Sequence, residues 1–176
     1  MMRLDRREFV FSLAALASAP PLRLSANAQP SSTVQEGPLT EGEMEILTAL
    51  CEQIVPKDEF PGARELGVGE FISRLLREAH PDWITIYHSG LRSTEQSSLK
   101  SYKKSFLEID FEQRKLLLER MANGDLPLVD WGAVTPEEFF SMVSSHTMQG
   151  FYSHPRWGGN RDKKAWAMID YDDWWV

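Results

Sequence analysis

Apolar positions recur every three to four residues through most of this chain, and no stretch alternates with period two long enough to make a strand. Thr40-Glu41-Gly42-Glu43 opens the pattern with a capping box, in which hydroxyl and carboxylate each bond the other residue's backbone N–H. Leu47, Leu50, Cys51, Ile54 and Val55 follow at helical spacing until Pro56. Lys57 to Gly67 reads as a loop around Pro61-Gly62. Val68, Phe71, Ile72, Leu75, Leu76 and Ala79 then mark a second amphipathic helix, ended near Pro81. Asp82 is placed to cap a third helix with Trp83, Ile84, Tyr87 and Leu91 on one face; its continuation through Ser93–Ser101 is polar and weakly patterned. Asp110-Phe111-Glu112-Gln113 starts a fourth, with Leu116, Leu117 and Met121 inward and a stop at Asn123-Gly124. Thr135-Pro136-Glu137-Glu138 starts a fifth, carrying Phe139, Phe140, Val143 and Met148, with Gly150 at its end or at a close contact. The expected fold is all-α: about five helices with an irregular, aromatic-rich C-terminal loop.

The first 39 residues do not share this pattern. Arg6-Arg7 precede the short apolar run Phe9 to Ala17, Pro20-Pro21 closes it, and Ala26-Asn27-Ala28 offers small residues to a signal peptidase. Residues 1–28 read as a twin-arginine signal peptide, which exports folded cargo. An ordinary secretory signal or an uncleaved anchor is the alternative reading. The run is too short to span a bilayer comfortably, and no later segment is long and apolar enough to do so. Residues 29–39 form a polar linker, and 40–176 a single helical domain.

Cleavage after Ala28 removes Arg3, Arg6, Arg7 and Arg23 with Asp5 and Glu8, leaving 148 residues with 15 basic and 24 acidic side chains, a net of −9. Such a surface repels a phosphate backbone, so nucleic acid is not an expected partner. Cys51 is the only cysteine, which excludes an intrachain disulfide, a cysteine-built zinc or iron–sulfur site and a Cys-x-x-Cys-His haem attachment. No dinucleotide fingerprint is present, so no cofactor is expected on this chain.

Candidate chemistry gathers in residues 146–162. His146 and His154 would need a third ligand, such as Asp162 or Glu138, to hold a metal; partly exposed or hydrogen-bonded histidines are the preferred reading. Ser153, His154 and Asp162 have the residue types of a hydrolase triad without its nucleophile-elbow setting, so no catalytic residue is assigned. Arg156 and Arg161 flank the turn Gly158-Gly159-Asn160 beside Tyr152 and Trp157. They either bind an anion or partner carboxylate, or staple their own loop. Trp174-Trp175 either anchor on a partner or pack back on the domain.

The run Gly150-Phe151-Tyr152, Pro155-Arg156-Trp157-Gly158-Gly159-Asn160-Arg161-Asp162, Trp166 and Met168-Ile169 resembles the small (third) subunit family of gluconate 2-dehydrogenase. The first helices agree, through Leu47, Ala49-Leu50-Cys51, Ile54-Val55-Pro56, Pro61-Gly62-Ala63, Gly67-Val68 and Phe71-Ile72. The resemblance covers roughly residues 40–171; His154 stands where an acidic residue is usual, and Asp170 where glycine is usual. It implies a non-catalytic subunit of a periplasmic complex that is membrane-associated through its other members. Those would be a large FAD-dependent dehydrogenase of the glucose–methanol–choline type and a multi-haem c-type cytochrome. The twin-arginine translocase would be a transient partner, with the export signal (Arg6, Arg7, Phe9, Ala26, Ala28) serving both subunits. Tyr152, Arg156, Trp157, Asn160, Arg161, Trp174 and Trp175 are the partner-binding candidates. The competing readings are a stand-alone exported enzyme using the 146–162 loop, and a free periplasmic binding module.

Overall fold

The computed structural model describes residues 37–171, and in that span all regular structure is helical. Six α-helices follow in order: α1 (Glu41–Ile54), α2 (Val68–Glu78), α3 (Ile84–Tyr102), α4 (Phe111–Ala122), α5 (Pro136–Tyr152) and α6 (Lys164–Met168). The sixth lies where an irregular C-terminus was expected, flanked by short 3₁₀ turns at Pro155–Trp157 and Arg161–Lys163. Among the described residues no helix is long and apolar enough to cross a membrane.

Three helix starts are fixed by their own first turn. Thr40 with Glu43, Asp110 with Gln113 and Thr135 with Glu138 each form a complete capping box. Glu43 does more than cap. Its Oε2 accepts from the Thr40 N–H, while its Oε1 lies 2.7 Å from His88 Nδ1 on α3. Burial pushes this carboxyl up, but the bonds from His88 and Thr40 outweigh it and hold Glu43 below its ordinary range. The cap thereby ties α1 to α3.

α5 is the central element and packs on α1, α2, α3 and α4. Phe139, Val143, His146, Thr147, Gly150 and Phe151 form its buried stripe, at the three-to-four spacing that puts residues on one helix face. Met148 falls off that stripe and is exposed. On α4 the inward residues are Leu117, Leu118 and Met121, whereas Leu116 is exposed, contrary to expectation. At 100° per residue three consecutive leucines cannot share a face, and the pair nearest Met121 wins. Leu39, assigned to the linker, is buried in the core.

Asp82 does not cap α3. It sits inside a 3₁₀ turn, Pro81–Trp83, and α3 starts behind Trp83 with no side-chain cap. The polar half of α3 is nonetheless helical to Tyr102, and its small hydroxyl residues are buried. Ser93 donates to the Asp130 carbonyl at 2.7 Å, Thr94 to the Gly90 carbonyl at 2.8 Å and Ser98 to the Lys104 carbonyl at 2.9 Å. Glu95 accepts from the Phe106 N–H at 2.9 Å. Thr94 thus bonds back within α3, while Ser93, Ser98 and Glu95 take up backbone groups of the segments before and after α4, where Phe106, Ile109 and Trp131 are buried.

Gly90 on α3 is a point of very close helix packing. A Cβ there would lie 2.2 Å from Phe139 Cδ2 of α5, well inside van der Waals contact. Gly90→Ala is therefore expected to cost about 1–3 kcal/mol through overpacking, a fall of several degrees in Tm by circular dichroism. Adding Phe139→Leu should recover part of the loss; additive losses would show that the contact is not the cause.

Candidate functional site

The C-terminal segment is seated on the rest of the fold by one buried amide. Asn160 is fully buried at φ 45°, its Nδ2 donating to the Ser153 carbonyl at 3.1 Å and its Oδ1 accepting from the Ala165 N–H at 2.9 Å. One side chain thus joins the end of α5 to the start of α6. Next to it, Gly159 lies against α5 so closely that a Cβ would meet the Gly150 carbonyl oxygen at 2.1 Å. Gly150 in turn leaves room for the Phe71 ring of α2, so it marks close packing, and the helix continues to Tyr152. Arg161 adds a backbone bond to the Leu66 carbonyl at 3.3 Å and an exposed ion pair with Glu70 at 3.0 Å. Its partner is on α2, outside the loop itself. Asp162 and Lys163 also take positive φ, so three of four consecutive residues hold a conformation costing ~1 kcal/mol or more each.

Against this loop, α2 and α5 bound an open groove of about 860 Å³. Phe71, Arg74, Leu75, Glu78 and Ala79 form its α2 side, Gln149 and Tyr152 its α5 side, and Ser153, His154 and Trp157 its end. Arg74 organises the end wall. Its Nη1 donates to the Arg156 carbonyl at 2.7 Å, its Nε pairs with Glu78 at 2.9 Å, and its guanidinium carbon stands 5.7 Å from the Trp157 ring centroid. Bonding to Arg74, reinforced by Arg77, holds the Glu78 carboxyl below its ordinary range. The Arg156 guanidinium stacks on Trp157 at 5.0 Å. Trp157 and Tyr152 are 45% and 38% exposed, high for rings of their size with a groove beside them. Behind Tyr152, Trp166 Nε1 donates to the Tyr152 carbonyl at 2.9 Å and the Trp166 ring meets both His154 and Tyr171 edge-on.

The structure puts Tyr152 and Trp157 on the groove's lining, with the Arg156 guanidinium 5.0 Å from the Trp157 ring, and pairs Arg161 with Glu70 on α2. Asn160 belongs to the same loop but is internal, with both ends of its amide occupied. Arg6, Arg7, Phe9, Ala26, Ala28, Trp174 and Trp175 lie outside the described residues. Sequence reading missed Arg74. The signal was present: Phe71, Arg74, Leu75, Glu78 and Ala79 follow i, i+3, i+4, i+7, i+8, a second face of α2 beside its core stripe.

The polar residues once considered for catalysis are otherwise engaged. Ser153 Oγ donates to the Gly150 carbonyl at 3.1 Å, and His154 Nδ1 accepts from the Arg156 N–H at 3.1 Å. His146 is buried 2.7 Å from the Tyr87 hydroxyl and stacked on Trp83, which stacks on His80. Among the described residues no group of three or more His, Cys, Asp and Glu side chains could hold a metal ion. Burial pushes the Cys51 thiol up to about 12, against the opposing bond from Thr147, so it stays protonated.

Burial, and secondarily His80, pushes the His146 imidazole below its ordinary 6.5. Below that pH the unfolded chain takes up a proton that the folded one refuses, so stability is full above about pH 6.5 and falls as the pH drops toward the folded value. Tm should decline between pH 7.5 and ~5, and His146→Gln should flatten that slope. Asn160→Ala removes two internal bonds from a left-handed position and should cost about 2–3 kcal/mol in urea denaturation. An unchanged midpoint would show that the loop is held by other contacts.

No curated protein and no solved structure matches this chain. Residues 41–172, three quarters of its length, match the family described as gluconate 2-dehydrogenase subunit 3. The match runs from the first capped helix through the loop that walls the groove, and the chain belongs to that family.

Proposed function

We propose that this protein is the non-catalytic small subunit of a periplasmic, FAD-dependent dehydrogenase acting on gluconate, another sugar acid, a sugar or a polyol. It escorts the flavoprotein subunit through the twin-arginine pathway and remains bound to it. The complex passes its electrons to a multi-haem c-type cytochrome and is held at the membrane through it. FAD and haem c reside on those partners.

The observation that carries this reading is the family membership over residues 41–172. Three features of the chain agree with it. The groove offers aromatic rings, with the Arg156 guanidinium beside the Trp157 ring, while the nearby serine and histidine are bonded to backbone. The lone cysteine is buried and protonated. Arg6-Arg7 ahead of a short apolar run supply the address of a pathway that exports folded, cofactor-loaded cargo.

The test is Arg6→Lys together with Arg7→Lys in the native host. Flavin-dependent reduction of an artificial electron acceptor is measured in periplasmic and cytoplasmic fractions with gluconate, glucose and sorbitol. The activity should move to the cytoplasm. Activity that stays in the periplasm would sink the escort role.

A further inference from the structure

The groove between α2 and α5 is built for a particular kind of contact, and the arginines lining it and next to it show which. Arg74 is matched by Glu78, and Arg161 by Glu70. Among the described residues, Arg156 is different. Its guanidinium stacks on Trp157, and no hydrogen bond or ion pair reaches it. Arg64 and Arg92 also have no carboxylate partner among the described residues, so what sets Arg156 apart is its place over the Trp157 ring at the end of the groove. Its place is nevertheless fixed, because the Arg156 backbone is bonded at both its carbonyl, by Arg74, and its N–H, by His154. A planar donor fork held over a half-exposed indole is ready to take a carboxylate in two parallel bonds without first ordering itself.

The floor beside it is carbon, from Phe71, Leu75 and Ala79, and the groove is wide and open to solvent. Its exposed apolar surface continues past Tyr152 into a second depression of about 260 Å³, also lined by Ile169 and Tyr171. A continuous aromatic face with a single anchoring charge has the make-up of the centre of a protein interface rather than of a small-molecule cleft, which would bury most of its ligand.

We propose that this groove receives an exposed segment of the flavoprotein subunit in which a carboxylate stands next to an aromatic or branched aliphatic side chain. The apolar residue fills the carbon-lined floor, and the carboxylate pairs with Arg156. The inference rests on the reading under "Proposed function" and adds to it the face and the chemistry of the contact.

The experiment uses the full chain, tagged and purified with its flavoprotein from the native host. p-Benzoylphenylalanine replaces Gln149 or Ala79 on the groove walls, or Val129, which is exposed beside α3, as the control. On irradiation, positions 149 and 79 should crosslink to the flavin-containing polypeptide and position 129 should not. Peptide mapping should place the crosslinks in a segment with Asp or Glu beside an aromatic or aliphatic residue. Arg156→Ala should weaken Kd for the flavoprotein about thirtyfold and reduce its salt dependence, while its circular dichroism and Tm stay as in the wild type. Arg156→Lys should recover only part, since an ammonium lacks the fork.

If the flavoprotein co-purifies but the groove positions crosslink to a second copy of this chain, to its own residues 172–176 or to nothing, the docking inference is overturned. So it is if Arg156→Ala binds as the wild type does. A preparation that carries no flavin at all overturns the reading it rests on, and the inference falls with it.

Discussion

Everything in this fold depends on how closely α5 can be approached by the helices around it. Two ring-on-glycine contacts set those distances. Near its start α5 pushes the Phe139 ring against Gly90 of α3; near its end it presents Gly150 to the Phe71 ring of α2. A side chain at either glycine would hold two helices apart, and the rings would lose the contacts that make them worth burying. Between those points Val143, His146 and Thr147 fill the gap, with His146 bonded to Tyr87 and Thr147 to Cys51. The polar atoms in the middle of the stripe are thus satisfied inside the core and do not oppose the burial around them.

The close approach of α2 to α5 has a second consequence. It brings the start of α2 and the end of α5 near enough for one short loop to touch both. Gly159 rests on the Gly150 carbonyl, Arg161 reaches the Leu66 carbonyl and Glu70, and Asn160 closes the loop on itself through Ser153 and Ala165. The groove lies between α2 and α5 beside this loop, with Phe71, Leu75 and Tyr152 in its lining and His154 and Trp157 at its end.

The features legible in the sequence were those whose causes are local. Each capping box is settled within four residues, and Thr40, Asp110 and Thr135 all start helices where their spacing says so. Most of the core stripes of α1, α2 and α5 follow from helical periodicity, although Ala79 and Met148, read on them, are exposed. What escaped were features whose partners are remote. The serines of α3 look like a fading helix until the carbonyls of Lys104 and Asp130 arrive to accept their protons. Leu116 looks like its neighbours until α4 is oriented by the helices it packs on. At the candidate site the cluster of unusual residues from 150 to 162 was visible, but its division of labour was not. Asn160 and Arg156 are equally conspicuous in the sequence, and only the fold shows that one is wholly inside and the other on the surface. The spacing that puts Arg74 on a second face of α2 was there to read, but the carbonyl it holds lies 82 residues away and was not.

That division of labour explains why the loop tolerates strain. Asn160, Asp162 and Lys163 all adopt left-handed backbone, a combined cost of several kcal/mol that a simple connection between α5 and α6 would not incur. A relaxed loop would connect the helices equally well. It would not also turn Asn160 inward, lay Arg161 on α2 and leave Trp157 with two guanidinium groups at 5.0 and 5.7 Å from its ring. Strain of this kind persists only where surrounding contacts over-determine it, and here they are the buried amide and the glycine contact on α5. The fold therefore spends internal bonds to hold an exposed surface rigid, and a surface held rigid before contact loses less entropy when a partner covers it.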